Sequence, residues 1–451
     1  MKNKIILLTI VLLIIGILLG PVRWLSKKQV VIEPLEIIEA PVTKMPENIG
    51  YGWSQALETE IAIKEAIAMV KKDLIAAKFV LLFSTADYDH QKIIEEITKA
   101  FGPEIKIYGG TSFQAVINQD GFHQGQKGSL ALLASSSPKI DLGVAGVDLN
   151  DFASAQEAGQ AVISQAIENA GRKSEIKPDL VLMTSAPGQE EKILQGIKKV
   201  IGQKAIIFGG SSADNDLSGQ WKQFANQKIF SNGISVAVFY TDLKIGFSNQ
   251  SGYLKTEKRG VVTRAEGRII YEIDHQPAAE VYNDWTNGLI DQELESGGEI
   301  FTKTSFYPLV QAPKDGFSDS SLFPVFIHPL SVEANEKSLI VFADAWEGEE
   351  VELFYGTWET LLNRVSQTVT DVLETKEIAT DKILFGFYDY CAGDLLSLPE
   401  DQKIKIPLLI NRELKGMPFV GTFTFGEQLF YPELGSFHNN LANFMIVFVE
   451  D

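Results

Sequence analysis

The stretch IFGGSSADN, residues 207–215, closes an apolar run with two glycines, two serines and an aspartate. An almost identical turn, IYGGTSFQA, stands 100 residues earlier at 107–115. Aligned at that offset, 79–112 matches 179–212 without a gap, and eleven of the 34 positions are identical, including Leu82/Leu182, Ile93/Ile193, Ile97/Ile197 and Gly102/Gly202. Agreement at that level marks an internal duplication.

Each copy parses in the same way. Apolar runs at 80–83 and 180–183 read as buried strands. Apolar residues at 93, 94, 97 and 101, and again at 193, 194, 197 and 201, have helical spacing. Gly102 and Gly202 fit helix C-termini. A second strand then runs into the double glycine. Ala-rich helical segments (55–77 and 153–170) precede the copies, and strands SLALLA (129–134) and ISVAVF (234–239) follow them. A fainter third copy lies near the C-terminus: helix 357–373, strand ILFGFYDYC (383–391), MPFVGTFTFGE (417–427) and strand NFMIVFV (443–449). Strands alternating with helices predict an α/β fold, with helix-strand-helix-strand units repeated around mixed, partly parallel sheets in a two-part layered architecture. Ligands of such sheets gather at the carboxyl ends of the strands, where the glycine turns lie.

Composition narrows the function. With 59 acidic and 40 basic residues the net charge is −19, and no long basic run offers a nucleic-acid groove. One cysteine, Cys391, excludes an intrachain disulfide. The five histidines are scattered away from metal-ligand spacing, so neither a metal nor another cofactor is expected. No nucleophile elbow, Walker loop or dinucleotide fingerprint appears. The segment GFHQGQKG (121–128) reads as a hairpin and AWEGEEVELF (345–354) as a strand-turn with a solvated face.

At the N-terminus Lys2 and Lys4 precede apolar residues from Ile5 to Leu19, broken only by Thr9 and Gly16. A spanning helix wants about 20 apolar residues, and a signal-peptide core about 7 to 15. Lacking a clean cleavage site, residues 1–28 read as a signal anchor over a cleaved signal, and 29–48 as an extended linker. The body is expected on the membrane and outside the cytoplasm; secretion after cleavage and a cytoplasmic-facing body are the alternatives.

The candidate ligand-binding residues are Gly109, Gly110, Thr111, Ser112, Gly209, Gly210, Ser211, Ser212 and Asp214, joined by Cys391, Glu427, His438 and Asn439. Glycines let backbone N–H groups approach a ligand, and Asp214 suits an ammonium. Against this stands a plain glycine turn whose Ser and Asp cap the next segment. Cys391 with His438 could form a nucleophile-base pair, although a lone cysteine at a strand end more often packs as a small hydrophobe. Glu427, in an apolar stretch, demands a partner or a cleft, and Arg264 is either that partner or a surface residue.

The arrangement resembles the FIST family, a sensory module with N and C parts. The N-part resemblance runs from YGWSQALETEIAIKEA (51–66), with Gly52 and Ser54, through the two glycine turns to GVVTRAEGRIIYEIDHQPAAEVY (260–282). The C part resembles the family in WEGEEVELFYG, GFYDYCAGDLL, GTFTFGEQLF and FHNN. It implies an N-like domain at 49–276, a C-like domain at 277–451, a small polar ligand, with amino acids proposed, and an unidentified signalling or transport partner. In one departure, relatives usually follow the cysteine with Gly-Arg, whereas CAGD places Asp394 about where that arginine is expected. The function expected is therefore a non-catalytic, membrane-tethered sensor of small ligands. A Cys/His hydrolase or transferase and a protein-binding scaffold are its rivals.

Overall fold

The computed structural model of the chain describes residues 45–173, 175–312, 323–432 and 434–450. The anchor and most of the linker expected at the N-terminus therefore lie outside the described residues. Among the described residues no helix is long and apolar enough to cross a membrane.

The first repeat runs β1 (Ile49–Ser54), helix Thr59–Asp73, β2 (Phe79–Ser84), helix His90–Phe101, β3 (Lys106–Thr111), a short hairpin of β4 (Val116–Asn118) and β5 (Gly121–His123), and β6 (Leu130–Ser135). The second repeats that order. It has β7 (Ile140–Asp148), helix Ala155–Asn169, β8 (Leu180–Ser185), helix Glu190–Ile201, β9 (Ile207–Gly210), hairpin β10 (Gln223–Ala225) and β11 (Lys228–Phe230), and β12 (Gly233–Thr241). The third begins with β13 (Lys244–Gln250) and resumes, after an insertion, at helix Trp358–Thr375. It continues with β23 (Ile383–Cys391), helices Ala392–Ser397 and Lys405–Leu414, β24 (Phe419–Thr424), hairpin β25 (Glu427–Tyr431) and β26 (Gly435–Asn439), and β27 (Asn443–Val449). The insertion carries β14–β22 (residues 254–355), which form their own nine-stranded sheet.

Local chemistry sets these elements. Asp89 accepts a hydrogen bond from Lys92 N at 3.1 Å, Ser154 accepts from Glu157 N at 3.2 Å, and Thr357 forms a capping box with Thr360. Ile93, Ile94 and Ile97 bury one face of their helix, as do Ile193, Leu194 and Ile197 in the second copy. Gly102 and Gly202 terminate those helices at φ of 97° and 101°.

Strand registers correct the sequence alignment at one point. Leu82 pairs with Gly109, but Gly209 pairs with Met183, so Leu82 corresponds to Met183 and not to Leu182. The link from strand to helix spans 85–89 in the first copy and 186–189 in the second, one residue shorter. An ungapped comparison conceals that compensating slip.

The three repeats interlock cyclically. Each sheet has six strands in one order, β1-β6-β2-β3, β7-β12-β8-β9 or β13-β27-β23-β24, completed by a hairpin from another repeat. Hairpin β10–β11 completes the first sheet, β25–β26 the second, and β4–β5 the third. Three backbone bonds close the ring: Ala213 N donates to Thr111 O (2.9 Å), Phe113 N to Phe423 O (2.9 Å) and Phe425 N to Ser211 O (3.0 Å). These bonds make Phe113, Ala213 and Phe425 equivalent, and with them Gly109, Gly209 and Gly421. The sheets face one another across a shared core rich in phenylalanine, where Phe385 stacks on Phe448 with ring centroids 4.5 Å apart. In the first two repeats, helices cover the outer faces.

Candidate functional site

Beyond the point where the three repeats meet, the segments following β3, β9 and β24 border a cavity of about 300 Å³. Phe113 and Gln114 come from the first repeat, Asn215 to Leu217 from the second, and Phe425 and Gly426 from the third. Cys391, Ala392, Gly393 and Leu396 form one wall, while the insertion contributes Phe301, Thr302, His328 and Phe342. A concave, mostly apolar site with four phenylalanines and a few polar groups suits a small organic ligand.

Of the residues singled out in the sequence, Cys391 lines this cavity directly. The double glycines do not. Gly109 and Gly209 are pressed against the adjoining parallel strand, where an added Cβ would lie 1.7 Å from Leu82 O and 1.8 Å from Met183 O. Gly110 and Gly210 face the central junction, where a Cβ would meet Ser212 Oγ at 2.6 Å and Thr424 Oγ1 at 2.4 Å.

Their hydroxyl neighbours are engaged internally. Ser112 Oγ donates to Ala115 O, Ser211 Oγ donates to Glu190 Oε1 (2.6 Å), Ser212 Oγ lies 3.0 Å from Thr184 Oγ1, and Thr111 Oγ1 accepts from Lys222 N (2.9 Å). Asp214 is buried, with Oδ2 accepting from Gln220 N at 2.7 Å. It thereby folds the loop that presents Asn215, Asp216 and Leu217 to the cavity. Its role is one step removed from the wall.

Behind Cys391 lies a buried acidic cluster. Beside the thiol, the Glu427 carboxyl accepts from Ala442 N (3.1 Å) and from Thr424 Oγ1 (3.2 Å). Thr424 Oγ1 also lies 2.6 Å from Asp389 Oδ1, and among the described residues Asp389 Oδ2 has no hydrogen-bond partner. Burial, reinforced by Asp389 and Asp394, pushes Glu427 well above the carboxylate range. Burial pushes Asp389 up to about 8. The Cys391 thiol is pushed well above its ordinary value by burial first, then by Glu427 and Asp394. Such a thiol stays protonated, the reverse of an activated nucleophile.

His438 does not join Cys391 on the cavity wall; its Nδ1 lies 3.3 Å from Gln428 Nε2. Asn439 Oδ1 accepts from Phe326 N (3.0 Å) and Asn440 Oδ1 from His328 N (3.1 Å), so this loop docks the strand Val325–Ile327 and the adjoining His328 against the third repeat. Arg264 pairs with Glu272 on an exposed strand, away from Glu427. The histidine that shares the cavity with Cys391 is His328, which the sequence reading passed over. Its signal was present: in VFIHPL (325–330) it is the one polar residue of an apolar run.

Asp394 faces inward to a buried ion pair with Arg364 and accepts from Tyr253 Oη at 2.7 Å. Arg364 also donates to Leu441 O (2.9 Å). The acid at the position expected for arginine thus meets an arginine supplied by helix Trp358–Thr375.

The cluster makes stability depend on pH. A buried carboxyl whose folded pKa is raised favours the folded state fully below its unfolded value, and that contribution is lost as pH climbs through the folded value. For Asp389 the loss runs from about pH 4 to about pH 8. Asp389→Asn is expected to flatten the fall in melting temperature between pH 5 and pH 8, with Glu427 sustaining the remaining slope. Thermal melts of both proteins across that range check it; parallel curves would contradict the assignment.

The FIST N domain matches residues 78–276 and the FIST C domain matches 278–429. No curated protein matches this chain. A solved structure described as "Cyanuric acid hydrolase: evolutionary innovation by structural concatenation" is similar at 10% identity, covering 90% of this chain and all (100%) of that one, with a TM-score of 0.36. The structure of PurLQS from Thermotoga maritima is similar at 9% identity over 90% of this chain and 74% of that one, with a TM-score of 0.21.

Proposed function

This chain belongs to the FIST family, whose domains are regarded as sensory modules for small ligands, and from that premise we propose that the cavity beside Cys391 is the ligand site. The observation that carries the reading is the convergence there of loops from all three repeats and of the insertion. A ligand filling the cavity would contact every part of the body at once, so it could favour one arrangement of those parts over another. Four phenylalanines (Phe113, Phe301, Phe342 and Phe425) suit an apolar body, and Asn215, Asp216, Gln114 and Thr302 suit a polar end. Amino acids and their small derivatives are of the right size.

The sensor reading fits better than a thiol enzyme, because the Cys391 thiol is held protonated and its partner is an acid. A tether through residues 1–28, with the body outside the cytoplasm, belongs to the same proposal, as does an output carried by a separate signalling or transport partner. Those parts rest on sequence alone.

Ligand binding is tested by thermal shift on the full chain in mild detergent, against amino acids and their derivatives. A ligand at 100 times its dissociation constant should add about 2.7 kcal/mol. Leu396, which is 42% exposed at the cavity wall, allows a blocking variant. Leu396→Trp is expected to abolish the shift while changing the stability of the free protein by only about 0.5 kcal/mol. Shifts that survive in that variant would place the ligand elsewhere.

A further inference from the structure

The wall of this cavity is uneven in its hydrogen-bonding capacity. His328 Nε2 lies 2.9 Å from Phe301 O. A carbonyl oxygen only accepts, so Nε2 carries the ring proton and Nδ1 carries the lone pair. Burial lowers the His328 pKa to about 4, which keeps the ring neutral. The Nδ1–Cε1 edge faces Gly393, where a built Cβ would lie 3.6 Å from Nδ1, and both residues line the cavity. Among the described residues no hydrogen bond reaches Nδ1, so an acceptor stands unused on the inner wall.

The charges point the same way. Asp216, exposed at one side, is the only acidic residue among the described lining residues, and they include no lysine or arginine. Behind the wall, burial raises Asp389 and Glu427 out of the carboxylate range and Asp394 is paired with Arg364, so the cluster offers an anion no free cation. An anionic ligand would lose its hydration without gaining a cation.

We infer that the cavity selects an uncharged molecule of aromatic size whose inner end donates an N–H to His328 Nδ1, an amide in place of a free carboxylate. This rests on the ligand-site reading above and narrows it: within amino-acid chemistry, the amide derivative is favoured over the free acid. Selectivity comes from both sides. The amide satisfies that acceptor, while an analogue without the N–H leaves it empty.

Three probes that share the phenylacetyl body decide the matter by calorimetric titration on the full chain at pH 7: phenylacetamide, phenylacetate and N,N-dimethylphenylacetamide. Phenylacetamide is expected to bind at least about tenfold more tightly than either of the others, the difference one buried hydrogen bond makes. In His328→Phe the amide and its dimethyl analogue should bind alike. If that variant does not fold, the probe series on the unaltered protein still decides. Equal binding of phenylacetate or of the dimethyl amide overturns this inference and leaves the ligand site standing. No binding by any of the three overturns the ligand site for molecules of this size, and the inference with it.

Discussion

Gly209→Ala is expected to destabilise the fold by about 4 kcal/mol or more, at the extreme of single substitutions. The alanine Cβ would sit 1.8 Å from Met183 O, an atom of the backbone in the adjoining parallel strand. No side chain can rotate away to relieve that contact, so the parallel pair itself must separate. Gly109→Ala faces the same obstacle at Leu82 O, 1.7 Å away. Gly102→Ala is the control. Its φ of 97° strains an L-residue but none of the described residues would lie within 4 Å of the new Cβ, so a loss of about 1–2 kcal/mol is expected. Chemical denaturation of the three variants checks the ranking. Equal, mild losses would show that the glycines serve only backbone conformation.

The second large effect belongs to Arg364. The side chain is 1% exposed, pairs with Asp394, and lies over the Tyr390 ring at 4.8 Å. Arg364→Met should cost about 3–5 kcal/mol, because it strands a carboxylate in the interior. Adding Asp394→Leu removes the stranded charge and is expected to recover part of the loss. The pH dependence gives a second readout. Burial already raises the Asp394 pKa and Arg364 opposes that rise, so losing the arginine lets the carboxyl rise further. A raised folded pKa weakens the fold as pH increases, so the deficit of Arg364→Met should grow between pH 5 and pH 8. A deficit independent of pH, with no recovery in the double variant, would mean that Arg364 acts through packing alone.

Much of the repeat was legible because it is written in local signals. The double glycines, the helical spacing of Ile93, Ile94 and Ile97, and the glycine at each helix end recur at one period. The third copy is faint for two physical reasons. Residues 254–355 separate its first strand from its helix, and only Gly421 survives of the glycine pair, with Thr422 at the place of Gly110 and Gly210. The exchange of hairpins left no trace in the pattern. Strands β4 and β10 have three residues each, too few to show a period, and their partners lie more than 100 residues away.

The site divides in the same way. Cys391 stands at the end of an apolar strand, where ligand sites collect, and was visible for that reason. Phe301, His328 and Phe342 reach the cavity from an insertion without repeat symmetry. Asp214 drew attention as a carboxylate beside a glycine turn. Which way a carboxylate turns depends on the N–H groups around it, here that of Gln220.

The cyclic exchange of hairpins also bears on how the protein is made. A ribosome emits the chain from one end, yet no sheet can be completed within its own repeat. The β9 edge, finished by residue 210, waits for β25 at 427, and hairpin β4–β5 waits for β24 at 419. At 5–20 residues per second the β9 edge stays unpaired for about 10–40 s of synthesis. During that interval the nascent protein presents a strand edge, open to pairing with any neighbouring chain. Its yield in the cell is expected to depend on protection during translation, and a truncated form that stops before residue 427 keeps that edge unpaired.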